Sequence, residues 1–283
     1  MADDIVQGQL GDCYFIACLA ALTGKPERII RIIKSGEVNK SGLYVINLCV
    51  NGYWQDVIVD DYFPVLSGTN KLAFAHARMK DGKGSLWVPL IEKAWAKLNG
   101  NYDRVVMGGV DLGFIHLCGV PSSGFKHLLM KNDQGRKHLW SALIEGEQNR
   151  HLITTGTIDS NLKVEELTSF NLRANHCYSV LQVVEHNNLK LLKLRNPWGS
   201  NAWNGKWSDQ DQATWNSNSD LLDLGVCPTM VDDGIFWMSL EDYVRYFSFS
   251  NICHYNDDDQ HSYAFMNKQV AKESYFNFKV EQK

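Results

Sequence analysis

Ten consecutive residues, Cys13-Tyr14-Phe15-Ile16-Ala17-Cys18-Leu19-Ala20-Ala21-Leu22, carry no charged side chain. With Asp12 as N-cap, Gly24 as stop and Pro26 beyond it, the stretch reads as a helix. A helix that is apolar nearly all round has no face to give to water, so it must sit in the middle of the fold. A chain of 283 residues is long enough to surround it, since a fold of this size buries roughly three quarters of the surface its unfolded chain exposes. The rest of the composition fits a globular chain: 45% apolar, 21% charged, with 28 Lys and Arg against 32 Asp and Glu leaving a net −4.

That balance, with no block of Lys or Arg, argues against a nucleic-acid partner, and no window reaches the apolar length that spans a bilayer. No transmembrane segment is expected. The N-terminus lacks the basic and apolar regions of a secretory signal, so the expected compartment is the cytosol. Seven cysteines, odd in number and without a CxxC pair, speak against a disulfide framework or a zinc site. Most are expected to be small buried hydrophobes.

Tyr44 to Val50 and Tyr53 to Val59 read as strands joined by Asn51-Gly52, the signal for a type I′ hairpin. Trp87, Leu90, Ile91, Ala94, Trp95 and Leu98 share one helical face, with Pro89 in the first turn and Asn99-Gly100 as the stop. Leu66 to Lys83 has no clear period and reads as a long surface loop. The glycine-rich stretch from Gly108-Gly109 to Gly119-Val120-Pro121 is the expected domain boundary. Beyond it, after one helical pattern at Lys137 to Ile144, strands dominate: Leu152 to Thr157, Cys177 to Val184, Leu189 to Leu194 and Gly234 to Met238, the middle pair joined at His186-Asn187-Asn188. A mainly helical first half facing a strand-rich second half is an α+β arrangement in two lobes. Asp257-Asp258-Asp259 reads as a solvated loop.

Cys13 stands apart from the other thiols because it opens a helix, where unpaired N–H groups and the positive dipole end favour a thiolate. A nucleophilic cysteine also needs a base and a group to orient that base, and these lie far away in sequence. His176, opening a strand, and Asn196, following the next one, are the candidates. Cys177 adjoins His176, but strand alternation would turn it to the opposite face, which gives it a structural role.

The context of these residues carries a resemblance. Gln7-Gly8-Gln9-Leu10-Gly11-Asp12-Cys13-Tyr14-Phe15 resembles the nucleophile segment of the calpain family, in which a Gln six residues before the Cys supplies part of the oxyanion hole. Glu92 to Tyr102, Asn175-His176-Cys177-Tyr178-Ser179-Val180, Arg195-Asn196-Pro197-Trp198-Gly199 with Trp203 and Trp207-Ser208-Asp209, and Asp233 to Ser239 follow in the family's order. The resemblance implies a papain-like α+β fold, with a helical lobe over residues 1–113 carrying Gln7 and Cys13. A second lobe over 114–253 would carry His176 and Asn196, with a C-terminal extension at 254–283 and the cleft between the lobes. It implies a thiol endopeptidase acting on protein substrates, with Trp198 shielding the His-Asn pair from water. Tyr14 stands where the family has Trp, and Asn175 where it has Gly. The chain starts twelve residues before Cys13, short of the segment that precedes the nucleophile in family members, as a fragment would.

The family also implies Ca2+ in each lobe, held by carboxylates and carbonyls. Asp4 matches the first site's aspartate, whose distant acidic partner has no clear match, with Asp111 or Asp103 nearby; Asp209 and Asp233 match two ligands of the second site. Ala202 and Ile235 replace two of that site's glutamates, so it is expected to be weak. No EF-hand loop occurs in the sequence. Two other readings stand beside the protease: a catalytically silent interaction module, and a transglutaminase-type transferase, whose orienting residue is usually Asp rather than Asn.

Overall fold

A computed structural model of the protein describes residues 5–79 and 84–257. A two-residue strand β1 (Ile5–Val6) precedes α1 (Cys13–Leu22), in which every residue from Tyr14 to Leu22 is buried. The apolar run has thus become the centre of the molecule. Pro26, read as lying beyond the helix, opens a second one, α2 (Pro26–Ile32), with its missing N–H at the first helical position where none is needed. β2 (Leu43–Val50) and β3 (Tyr53–Asp60) pair from Val50↔Tyr53 outward, and Asn51 and Gly52 take φ of 50° and 82°, the two positive values a type I′ turn requires.

The segment after this hairpin is more than a surface loop. Ala73, Ala75 and Ala77 are buried, and β4 (His76–Ala77) pairs with β1. Residues 80–83 of that reading lie outside the described residues. α3 (Trp87–Leu98) buries the face its periodicity marked, and Phe15 of α1 stacks on its Trp95 at 4.9 Å.

The stretch from Gly108 to Pro121 contains a helix, α4 (Val110–Cys118), ended by Gly119 in the left-handed region at φ 69°. Val110, Phe114, Leu117, Cys118 and Val120 all pack into the first core. A division at 113/114 would cut that helix, and the core passes from one lobe to the other only after Val120. From there β5 (Ser122–Lys126), α5 (Asp133–Gln148), β6 (Leu152–Gly156), α6 (Val164–Ser169), β7 (Cys177–His186), β8 (Leu189–Arg195), α7 (Gln212–Asn216), β9 (Ile235–Ser239), α8 (Leu240–Tyr246) and β10 (Phe249–Cys253) follow. They build an antiparallel sheet of order β5-β10-β6-β7-β8-β9. β5 and β10 escaped the sequence reading because neither alternates cleanly.

One side of this sheet carries a core with α5 and α8. On the other, α1 packs against β6 and β7, and Leu152, Cys177 and Cys253 join the first core. The central helix is therefore shared by both lobes, with its N-terminus at the cleft.

Asp257, taken from sequence as solvated, grips α2. Arg28 Nε and Nη2 donate to its two oxygens at 2.8 Å each, Lys25 adds a third bond, and Arg28 is only 5% exposed. The Arg28 guanidinium, more than Lys25, holds the Asp257 carboxyl well below the usual carboxylate range. Asp257→Ala is expected to cost about 2 kcal/mol, because a buried guanidinium loses a charged partner but keeps its bond to the Arg150 carbonyl. The loss should be present at neutral pH and shrink as pH falls below the ordinary carboxylate value, where the unfolded chain takes up a proton that the folded carboxylate still refuses; thermal melts at pH 7 and pH 2.5 would measure this. Asp258 and Asp259 lie outside the described residues.

Candidate active site

Cys13 begins α1, half-buried, at the floor of a cleft of about 1000 Å³ lined also by Gln7, Met107, Asn175, His176 and Trp198. A second cavity of about 570 Å³ continues from it, sharing Gly108, Ile158 and Asp159. Together the two form a trough between the lobes.

His176 and Asn196 come from the opposite lobe. His176 Nε2 donates to Asn196 Oδ1 at 2.9 Å, and both side chains are buried. That bond fixes the imidazole so that its other nitrogen, Nδ1, is the one left for the nucleophile. Asn196 Oδ1 also accepts from the Trp198 backbone N–H at 3.1 Å, so one amide holds both the imidazole and the turn that carries the indole. The Trp198 ring lies 5.0 Å from the His176 ring, and Arg173 covers Trp198 with its guanidinium 4.5 Å from the ring centre. Sequence reasoning anticipated the Trp198 cover; the cation on top of it had no local signal.

Asn175 takes φ 52°, in the left-handed region. Asn is the side chain that tolerates this region best after Gly, so the exchange leaves the backbone ahead of His176 unstrained. The same turn explains a correction. Strand alternation was expected to turn Cys177 away from the site, but β7 begins only at Cys177 and His176 sits in the turn before it. The alternation does not reach His176, and Cys177 faces α1.

Cys177 then becomes a member of the site. A hydrogen bond from its thiol is the largest influence drawing the Cys13 thiol down from 9.0 to about 4; burial opposes it, and a hydrogen bond and the charge of His176 add to it. Cys177 itself is pushed well above an ordinary thiol, first by that same bond and then by burial. The influences of Cys177 and His176 both bias the Cys13 thiol towards its thiolate. Iodoacetamide should accordingly modify Cys13 first, at a rate that stays high down to about pH 5 and halves near pH 4. In Cys177→Ala the half-point should move upward; peptide mapping of the alkylated protein against pH checks both.

Gln7 is held at the cleft mouth by its backbone N–H, which donates to Pro197 O at 2.9 Å across the lobes. Its Nε2 donates one hydrogen to Leu10 O at 2.7 Å, and the second N–H of that amide remains for a bound oxygen. Gly8 keeps this segment pressed on its neighbour: a Cβ there would lie 2.4 Å from the Ala73 and Phe74 backbone.

Behind the nucleophile lies a pair that sequence reasoning missed. Asp12 follows no capping pattern; its side chain makes no cap bond and is buried against Glu92 of α3. Neither Asp12 oxygen meets an N–H or O–H donor from elsewhere. The contact is carboxyl to carboxyl, so it is a hydrogen bond only when one of the two carries a proton. Glu92 accepts from the Ala75 N–H through both oxygens, at 3.0 and 3.2 Å, which makes it the ionised partner and Asp12 the acid. Burial raises both, and Asp12 is raised further by the charge of Glu92.

The metal residues meet only in part. Asp209 accepts from Thr229 N at 2.9 Å, Asp233 from Ile235 N at 2.8 Å, and burial, then the charge of Asp233, raises the Asp209 carboxyl. The two carboxylates are close enough to repel, and the buried Thr229 hydroxyl beside them has no partner. Lys193 offsets part of that charge. Ala202 and Ile235 supply no oxygen from their side chains, and among the described residues no three His, Cys, Asp or Glu side chains gather on one point. A cation that takes six to eight oxygens is poorly served by this set. Asp4 lies outside the described residues; Asp103 lies in the first turn of a short 3₁₀ helix at Tyr102–Val105, and Asp111 in the first turn of α4.

The order of these motifs has a counterpart among known proteins. The model of the calpain family cysteine proteases matches residues 1–254. The chain belongs to the calpain family. It is 36% identical over 262 residues to human calpain-8 and 32% identical over 263 residues to the human calpain-1 catalytic subunit, covering 90% of this chain in each case. The rice calpain-type cysteine protease ADL1 is 34% identical over 258 residues. This calpain-family chain spans 11% of the rice protein and 35–36% of the two human ones. The papain-like α+β architecture expected from sequence is that of this family's protease core. No helix among the described residues is long and apolar enough to cross a membrane.

Proposed function

We propose that the chain is a calpain-like cysteine endopeptidase hydrolysing peptide bonds in protein substrates. The observation that carries this reading is that Cys13, at the start of α1, lines one cleft with an imidazole whose far nitrogen is held 2.9 Å from Asn196. In the reaction Cys13 Sγ attacks the substrate carbonyl, and the resulting oxyanion takes hydrogen bonds from the Cys13 backbone N–H and from Gln7 Nε2. His176 gives its proton to the leaving amine, and a water deprotonated by His176 then hydrolyses the thioester. The orienting residue is a neutral Asn, which favours hydrolysis over the transferase reading, and the assembled site favours an enzyme over a silent module. Turnover of an unfolded protein such as reduced, alkylated casein by wild type and Cys13→Ala tests it. Wild type alone should release peptides; incorporation of an amine into casein would point to a transferase, and no turnover by either to an interaction module.

We further infer a reducing compartment such as the cytosol, which suits a chain with seven free cysteines, and a weak response to Ca2+ in the second lobe, where Asp209 and Asp233 stand without the two glutamates. Calorimetric titration of Ca2+ into Cys13→Ala should show no tight site that Asp233→Ala removes. A tight site lost with Asp233→Ala would overturn this.

A further inference from the structure

The register between α1 and β7 places Cys177 against the nucleophile independently of any acid–base consideration. Ser179 Oγ donates to Ala17 O at 2.8 Å, which pins β7 to α1 at that level. Two residues back along a strand is about 6.6 Å, and four residues back along a helix is about 6 Å, on the same face in each case. Stepping back from Ser179 reaches Cys177, and stepping back from Ala17 reaches Cys13. Tyr178 and Val180, on the alternate face, pack into the other core, as the pleat requires. Cys177 is fully buried in the first core, against which Cys13 packs from its half-exposed place in the cleft.

We propose that Cys13 and Cys177 form a reversible disulfide when a hydroperoxide enters the cleft, so that Cys177 is the resolving thiol that protects the nucleophile from irreversible oxidation. Exposure sets the order of events. Peroxide reaches Cys13 from the cleft and cannot reach Cys177. The Cys13 thiolate attacks hydrogen peroxide; an S–O bond forms, the O–O bond breaks, and the departing hydroxide takes the His176 proton to become water. Cys13 is then a sulfenic acid, oxidised by two electrons while the peroxide is reduced. Cys177 sulfur next attacks that sulfur; the S–S bond forms, the S–O bond breaks, and the Cys177 proton leaves with the hydroxyl as a second water. The register sets the two thiols on facing sides of α1 and β7, and the bond needs them to reach a separation of about 2.05 Å. The neighbouring Cys13 thiolate, already favoured in this site, makes the first step fast.

The inference uses the protease reading only for its activity readout. A short pulse of hydrogen peroxide should lower the intact mass by two hydrogens. A non-reducing digest should then yield one cross-linked species joining the Cys13 and Cys177 peptides. Dithiothreitol should return most of the activity of wild type. Cys177→Ala given the same pulse should carry sulfinic or sulfonic acid at Cys13 and recover at least tenfold less of its own starting activity. Sulfinic acid at Cys13 of wild type with Cys177 still free, or a cross-link to another cysteine, would overturn the proposal. So would a Cys177→Ala protein that recovers as fully as wild type. The mass map stands even if Cys177→Ala fails to fold, and it stands if the chain proves inactive, so failure of this inference and failure of the protease reading are told apart.

Discussion

Replacing His176 with Ala is expected to lower kcat/KM on an unfolded protein substrate by about 10³–10⁴-fold, the scale of a lost general acid–base group. Asn196→Ala should leave a rate about ten- to a hundredfold above that residue-176 variant. The reason is a division of roles: His176 carries the proton, while Asn196 Oδ1 only holds its Nε2 and the Trp198 backbone N–H. An imidazole freed from Asn196 still reaches the thiol for part of the time. Both variants must first be shown folded by near-ultraviolet circular dichroism, since Asn196 is fully buried. Equal residual rates in two folded variants would contradict the division, and so would a fully active Asn196→Ala.

Glu92→Gln is expected to make the protein more stable at pH 8 and to change it little at pH 4.5. Burial raises Glu92 from 4.5 to about 7, and Asp12 is raised as well. A carboxyl raised by folding binds more protons folded than unfolded, so stability is greatest below the unfolded value and falls as pH climbs towards the folded one. Each unit of that displacement withholds roughly 1.4 kcal/mol from the fold at neutral pH. Gln in this place accepts from the Ala75 N–H and donates to an ionised Asp12 without needing a shared proton. The predicted gain is several degrees in Tm at pH 8, at roughly 2–4 °C per kcal/mol for a chain of this size. His127, buried and pushed down to about 4 by desolvation, contributes the opposite slope in acid. It is common to both proteins and cancels in the difference. A Glu92→Gln protein that melts lower than wild type across the whole range would sink the shared-proton account.

The same two carboxyls bear on the site's geometry. Asp12 is the residue before the nucleophile, Glu92 belongs to α3, and Ala75 lies two residues from Ala73, whose carbonyl accepts from Gln9 N at 2.8 Å. One proton therefore ties the start of α1 to the segment that carries Gln7. This is a tertiary knot, and no spacing within any one element announces it.

What the sequence determined by itself was whatever depends on neighbours within a turn or two. The Asn51-Gly52 pair needs positive φ at two successive residues and the chain takes it there; the face of Trp87 to Leu98 is set by a period of 3.6; an apolar run from Tyr14 to Leu22 can go nowhere but the centre. The order of motifs around Cys13, His176 and Asn196 likewise lay open in the one-dimensional string. Tertiary structure alone decided the rest, because those features come from side chains that meet after distant segments have packed. Cys177 turned towards Cys13 since a left-handed turn at Asn175 precedes the strand and resets which way its residues face. Residues 73–77, featureless by period, were drawn inside by β1 and by Glu92, and β10 found its place between β5 and β6. Asp257 left water because Arg28, 229 positions earlier, was buried with a charge to satisfy. Periodicity reports which face of an element is apolar; it does not report which partner that face will meet, and in this protein the partner set the chemistry of the nucleophile.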